Sequence, residues 1–193
     1  SHLAAVSPSR GPGAFPGFRL AIALAQDIAL ALDRPLLPVS TLAVLASQVP
    51  PPAALAGEGG CDIGAPHAIL AAIDARMGEV YAATFRRAGQ DIVATGEEVV
   101  IAPAAFALPD GGGWQGVGTG FAAAEGILQA RLQGRLASVD PSALPHAADV
   151  ARLGSLAFAR GEAVAPERIE PAYLRNNVAL TIAEQQALRA SSR

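Results

Sequence analysis

Apolar positions along this chain change period several times, and each change marks an element. Leu3, Ala4, Ala5 and Val6 form a continuous apolar run that predicts a strand leading straight into a glycine-rich turn, "SRGPGAFPG". From Leu20 to Leu32 the spacing becomes helical. Leu20, Leu24 and Ile28 fall on one side of this helix and Ala21, Ala25, Ala29 and Leu32 on another. A helix that is apolar nearly all round must be covered on both sides, by its own sheet and by something else, and the alanine stripe admits a second helix at close range. Asp33 and Arg34 end the helix and Pro35 bars its continuation, so Leu36 to Val39 predicts a short buried strand. Ser40 or Thr41 then caps a second helix reaching about Val49.

The Pro- and Gly-rich stretch from Pro50 to Pro66 is the natural joint. Beyond it the pattern predicts a strand from His67 to Asp74, a turn around Arg76 to Gly78, and a return strand from Glu79 to Arg86. A third strand continues through Ile92 and Val99 to Ile101. "APAAFALP" predicts a short helix, Trp114 to Val117 a strand, Phe121 to Leu132 a helix, and Ala137 to Val139 another strand. A last helix spans His146 to Arg160, with Val150, Leu153 and Ala157 on its apolar face, Leu156 and Phe158 nearby, and Gly161 closing it. An extended piece and a polar tail follow. Helix crossovers early and a meander later predict an α/β protein with mixed sheets in two lobes. The expected divisions are residues 1–60, 61–180 and a tail at 181–193.

Composition narrows the function classes. With 51% hydrophobic and 16% charged residues there is ample material for a buried core. A net charge of -3 with no basic run argues against direct nucleic-acid binding through an electrostatic stripe. All 14 basic residues are arginine, so the chain offers neither a Walker-type phosphate lysine nor a Schiff-base nucleophile. The single cysteine, Cys61, cannot form an internal disulfide and fits a reducing compartment, which makes a cytoplasmic protein the expectation. The longest apolar stretch, broken by Gln26 and Asp27, is too short to span a bilayer, and no signal peptide is expected.

Three segments in order, "RGPGAFPGFRLAIALAQDIALALDRPLLPVSTLAVLA", "AAIDARMGEVYAA" and "PAYLRN", closely resemble the bacterial TsaB (YeaZ) family over roughly Leu3 to Leu180. That resemblance implies the actin-like, sugar-kinase and Hsp70 fold of two ribonuclease-H-like lobes. It also implies a non-catalytic subunit that binds and activates the TsaD threonylcarbamoyl transferase during threonylcarbamoyladenosine modification of tRNA. A TsaE-type ATPase belongs to the same assembly, tRNA is contacted only indirectly, and a homodimer is the other expected pairing. Family members usually read GPGSFTG where this chain has Ala14 and Pro16. They also begin with a hairpin and a long helix upstream of the glycine turn, so the first lobe is expected to be incomplete. The partner surface implied is the first helix, at Phe18, Ala21, Ile22, Ala25, Ala29 and Leu32.

The candidate chemistry is sparse. Gly11, Gly13 and Gly17 could present backbone N–H groups to an anion at a helix N-terminus. Pro16 removes a donor and Ala14 lacks a hydroxyl, which favours a structural turn in which Gly13 and Gly17 permit unusual backbone geometry and Pro16 pre-sets the helical φ. Arg19 could neutralise an anion there or tether a carboxylate. TsaD proteins follow the related turn with V-N-H-x-E-G-H, whose two histidines bind the catalytic metal. Here that stretch is "VSTLAVL", with Thr41 and Leu45 at the metal positions and Ala43 at the acidic one. His2, His67 and His146 pair at no such spacing, so no metal or cofactor is expected. Gly116, Gly118 and Gly120 in "GVGTG" stand where actin-like folds place a nucleotide-contacting turn, which implies at most vestigial nucleotide binding. Asp74 and Glu79 flank the hairpin turn and are expected to stabilise it, with Arg76 as a partner. The competing readings are a metal-dependent glycoprotease-like hydrolase and a non-functional fragment.

Overall fold

The computed structural model describes residues 3–14, 16–51 and 68–175. Its centre is a mixed six-stranded sheet. Strands β1 (Ala68–Arg76), β2 (Glu79–Ala88), β3 (Asp91–Ala94) and β4 (Val99–Ile101) form an antiparallel meander. Strands β5 (Trp114–Val117) and β6 (Leu136–Asp140) add in parallel on the other side of β1. The order across the sheet is β3-β2-β1-β5-β6, with β4 sharing the β2 edge.

β1 is central, and its nearly unbroken apolar sequence reflects burial on both faces. Leu70 and Ala72 point to one side, where Val80, Ala82, Phe106, Trp114, Phe121, Leu128 and Leu132 complete a core. Ile69 and Ala71 point to the other, against Ala83, Phe85 and Val117 and against Leu42, Leu45, Ala46 and Val49 of helix α2 (Thr41–Gln48). Ser40 caps α2 by accepting a hydrogen bond from the Ala43 N–H at 3.2 Å, as its position predicts. Helix α4 (Ala147–Ala159) packs outside α2 through Leu153 on Val44 and Val39. Gly161, with φ +75°, closes it.

Helix α1 (Gly17–Leu32) ends as expected. Asp33 is left-handed, and its N–H bonds the carbonyls of Ala29 and Leu30. The opening strand appears only as two isolated parallel bridges, Val6 to Leu36 and Ser9 to Val39, while Val164 bridges Leu36 from the other side.

Several elements depart from the expectation. The third strand divides into β3 and β4, separated at Gly96, where an added Cβ would lie 2.8 Å from Thr84 Oγ1. "APAAFALP" is not a helix. Its carbonyls are bound from another element: the Arg131 guanidinium donates to Pro103 and Phe106, both at 2.9 Å, and Arg135 to Leu108, Pro109 and Gly111. The predicted helix from Phe121 to Leu132 is two 3-10 turns followed by the short helix α3 (Ile127–Leu132). Ala124, Glu125 and Gly126 all take positive φ and break the ladder. The division near Cys61, the tail at 181–193, and His2 and His67 lie outside the described residues.

Candidate functional site

The glycine turn is held from three directions. Arg10 N–H donates to the Val39 carbonyl and Thr41 N–H to that of Gly11, each at 2.9 Å, and Ala172 N–H donates to the Arg10 carbonyl at 2.9 Å. Ser9 and Thr41 hydroxyls lie 2.6 Å apart, and Glu98 accepts from Ser40 while pairing with Arg10 at 4.0 Å. Of the three turn glycines, only Gly11 has a φ that other residues avoid, +104°. Gly13 and Gly17 have neither a left-handed φ nor a close neighbour where a Cβ would stand, contrary to expectation. Pro16 sits at the N-cap position, one residue before the helix, and makes no side-chain cap.

Three of the six residues expected at a partner surface on α1 face inward. Ile22, Ala25 and Ala29 are buried by the chain itself, in a cluster with Leu36 and Ile169 to which Phe18, Val6 and Val164 add partial cover. The alanine side therefore serves internal packing, since its small side chains allow Leu36 and Ile169 to approach closely. Of the residues assigned to a partner surface, Ala21 and Leu32 are exposed and Phe18 is half-buried. The outward row is the leucine side: Leu20 is 62% exposed, Leu24 53% and Ile28 48%. Those three were not assigned to the partner surface from sequence; the size difference between the two stripes was the available signal.

The final described segment ties the motifs together. The Phe18 and Tyr173 rings meet edge to face at 6.0 Å, and the Arg19 guanidinium lies 4.9 Å from the Tyr173 ring and donates to its hydroxyl. Arg19 is thus engaged with an aromatic ring, where a carboxylate tether was one of the two expectations. Arg175 donates to the Ala75 carbonyl at 3.1 Å and pairs with Glu79. Asp74 accepts from the Arg76 N–H at 2.8 Å and pairs with its guanidinium at 3.4 Å. Both carboxylates are accordingly occupied in holding the hairpin turn, Asp74 with Arg76 and Glu79 with Arg175.

The stretch aligned with the TsaD metal motif and the "GVGTG" turn are both packed into the chain. Leu45 is fully buried beneath the sheet, Thr41 is buried against Ser9, and Ala43 packs beside them, three residues that supply no imidazole or carboxylate to a metal. Gly116, Gly118 and Gly120 are buried, and their missing side chains make room for the chain itself. A Cβ at Gly116 would lie 2.6 Å from the Phe121 ring, at Gly118 2.3 Å from the Ala72 carbonyl oxygen, and at Gly120 2.7 Å from Ala72 Cβ. Close packing of Gly118 and Gly120 on β1, and of the Phe121 ring on Gly116, accounts for all three glycines. His146 precedes α4 at its N-cap position without a side-chain cap bond.

Titration is displaced at a few peripheral groups. The hydrogen bond from Arg160 holds the Glu162 carboxyl below the usual glutamate range, and hydrogen bonds from Ser142 lower Asp140 likewise. Burial, with Arg152 nearby, lowers Arg87, whose guanidinium binds the carbonyls of Ser47 and Val49 at the end of α2.

Known proteins supply the comparison. A family model described as TsaD, tRNA N6-adenosine threonylcarbamoyltransferase, matches residues 1–183. The tRNA threonylcarbamoyladenosine biosynthesis protein TsaB of Escherichia coli is 37% identical over 91% of this chain and 72% of its own length. The protein of the same name from Haemophilus influenzae is 30% identical over 90% and 71%. Among solved structures, YeaZ from Pseudomonas aeruginosa superposes with a TM-score of 0.70 at 37% identity, covering 89% of this chain and 74% of that one. A second Pseudomonas aeruginosa structure, described as an uncharacterized protein with similarity to peptidase YEAZ, superposes at 0.71 with 39% identity over 86% and 71%. These likenesses carry the expected actin-like fold with its mixed sheet. By sequence identity, by the matching family model and by superposition, this chain belongs to the TsaB (YeaZ) family of TsaD-like proteins.

Proposed function

We propose that this chain is the non-catalytic subunit that binds and activates a TsaD-type threonylcarbamoyl transferase in tRNA threonylcarbamoyladenosine biosynthesis, the pathway named for its relatives. The observation that carries this reading is the outward apolar row of α1, Leu20, Leu24 and Ile28, which stays exposed while the opposite side of the helix is satisfied internally. Apolar rows of this kind gain most by association with a second apolar surface. Thr41 and Leu45 at the catalytic metal positions, with Ala43 at the acidic one, favour a supporting role over a transferase one. A TsaE-type ATPase and tRNA then meet this subunit through the complex, in the cytoplasm.

Co-purification tests the reading. A TsaD-type partner is expected to be retained by the 193-residue chain and lost on introducing Leu24→Arg together with Ile28→Arg. Retention unaffected by that double substitution would overturn the assignment of the surface, and no retention by the unsubstituted chain would overturn the function. A self-associating chain that excludes the partner would redirect the same surface to a homodimer.

A further inference from the structure

Helix α1 is fastened to the rest of the molecule in an unusual way. The cluster beneath its inner face takes Leu36 and Ile169, with Val6 and Val164, and no residue of the six-stranded sheet. One connection to the sheet runs through the glycine turn into α2, by way of Thr41 N–H to Gly11. Another, beside the chain's own passage from α1 into α2, runs along residues 164–175. Val164 and Leu36 exchange both backbone bonds, at 2.8 and 2.9 Å, and Gln26 donates to the Pro166 carbonyl at 2.8 Å. Ile169 enters the α1 cluster, Ala172 bonds the glycine turn, and Tyr173 packs on Phe18 and Arg19. Two residues later Arg175 fixes the β1–β2 hairpin through Ala75 and Glu79, with Met77 Sδ at 3.5 Å.

We propose that residues 164–175 act as a strap that sets the pitch of α1 against the β1–β2 hairpin, with Arg175 as its fastening. The hairpin end carries a strained turn. Arg76, Met77 and Gly78 all have positive φ, and Arg76 and Met77 are exposed. Bracing from Arg175 on one side and Asp74 on the other holds that turn in its geometry, and through Tyr173 the same strap holds the first turn of α1. The outward row of α1 and the hairpin tip are therefore presented as parts of one rigid surface. This concerns the mechanics of the chain and stands or falls apart from the partner reading.

Backbone hydrogen exchange on the 193-residue chain tests it without any partner. Arg175→Ala is expected to accelerate exchange roughly tenfold or more at residues 76–80 and at residues 18–24, as removal of a charge-assisted hydrogen bond predicts. Exchange in α4 should not change. Arg175→Lys and Glu79→Gln, milder changes that keep the chain folded, should show the same pattern at smaller amplitude. Arg76→Ala alters the tip without touching the strap and should leave α1 alone. Acceleration confined to the hairpin would overturn the proposal, as would uniform acceleration that includes α4.

Discussion

Gly118→Ala isolates what the "GVGTG" turn is for. The substitution places a methyl 2.3 Å from the Ala72 carbonyl oxygen, 2.9 Å from Leu45 Cδ1 and 3.3 Å from the Ala72 carbonyl carbon. Two of those three neighbours are backbone of the central strand, which cannot rotate away. The backbone at Gly118, with φ +106° and ψ +168°, is also a conformation reserved for glycine. Its occupation by alanine costs roughly 1–3 kcal/mol. Forcing a methyl into a packed interior adds about 1–3 kcal/mol. A total near 4 kcal/mol lowers Tm by about 10 °C in a domain of this size. Urea and thermal unfolding followed by circular dichroism measure it. Gly134→Ala is the control, because nothing stands within 4 Å of its added Cβ; it should stay within about 0.5 kcal/mol. A Gly118→Ala chain within about 1 kcal/mol of the unsubstituted one would refute the packing account. So would a chain whose Tm rises with added ATP, if Gly118→Ala keeps its stability and abolishes that rise.

Three further outcomes follow from the same contacts. Ala25→Arg, on the buried side of α1, should destabilise the chain by about 3 kcal/mol or more, because it buries a charge without a partner, whereas Leu24→Arg on the outer row should stay within about 0.5 kcal/mol; paired urea titrations decide this. Arg135→Ala frees the carbonyls of Leu108, Pro109 and Gly111; it should cost about 2 kcal/mol and open residues 108–113 to limited proteolysis. Glu162, whose folded carboxyl titrates below its unfolded value, contributes stability above the unfolded pKa that is lost as pH falls through the depressed one. Glu162→Gln should therefore be less stable at neutral pH by no more than about 1 kcal/mol, since the pair is exposed, and the difference should vanish on acidification; unfolding curves at several pH values between neutral and strongly acidic conditions check it.

Elements with local causes were legible in the sequence. The cap at Ser40, the stop at Asp33, the hairpin around Gly78 and the end of α4 at Gly161 each depend on residues within a turn of the event. What escaped depends on distant residues. "APAAFALP" has the composition of a helix, yet arginines 25 to 28 positions away capture its carbonyls. Glu125 has no intrinsic liking for φ +59°, and it takes that value between two residues, Phe121 and Leu128, that are anchored in the core. The two sides of α1 are both apolar, so period alone could not decide which faced inward. Close approach of Leu36 and Ile169 selected the smaller side. Tyr173, which meets Arg19 across 154 positions, carries no local mark of that contact.

The arginines have a consequence for the chemistry of the whole chain. Arg34, Arg87, Arg131, Arg135, Arg152 and Arg175 each spend their side chains on backbone carbonyls of segments remote in sequence. A guanidinium keeps its proton across the entire range in which proteins work, so these clasps do not loosen with pH. With no lysine in the sequence, the side chains offer no primary amine to acetylation, ubiquitin attachment or amine-reactive crosslinkers. Dicarbonyl reagents that consume guanidinium groups would instead unlace the loops one clasp at a time.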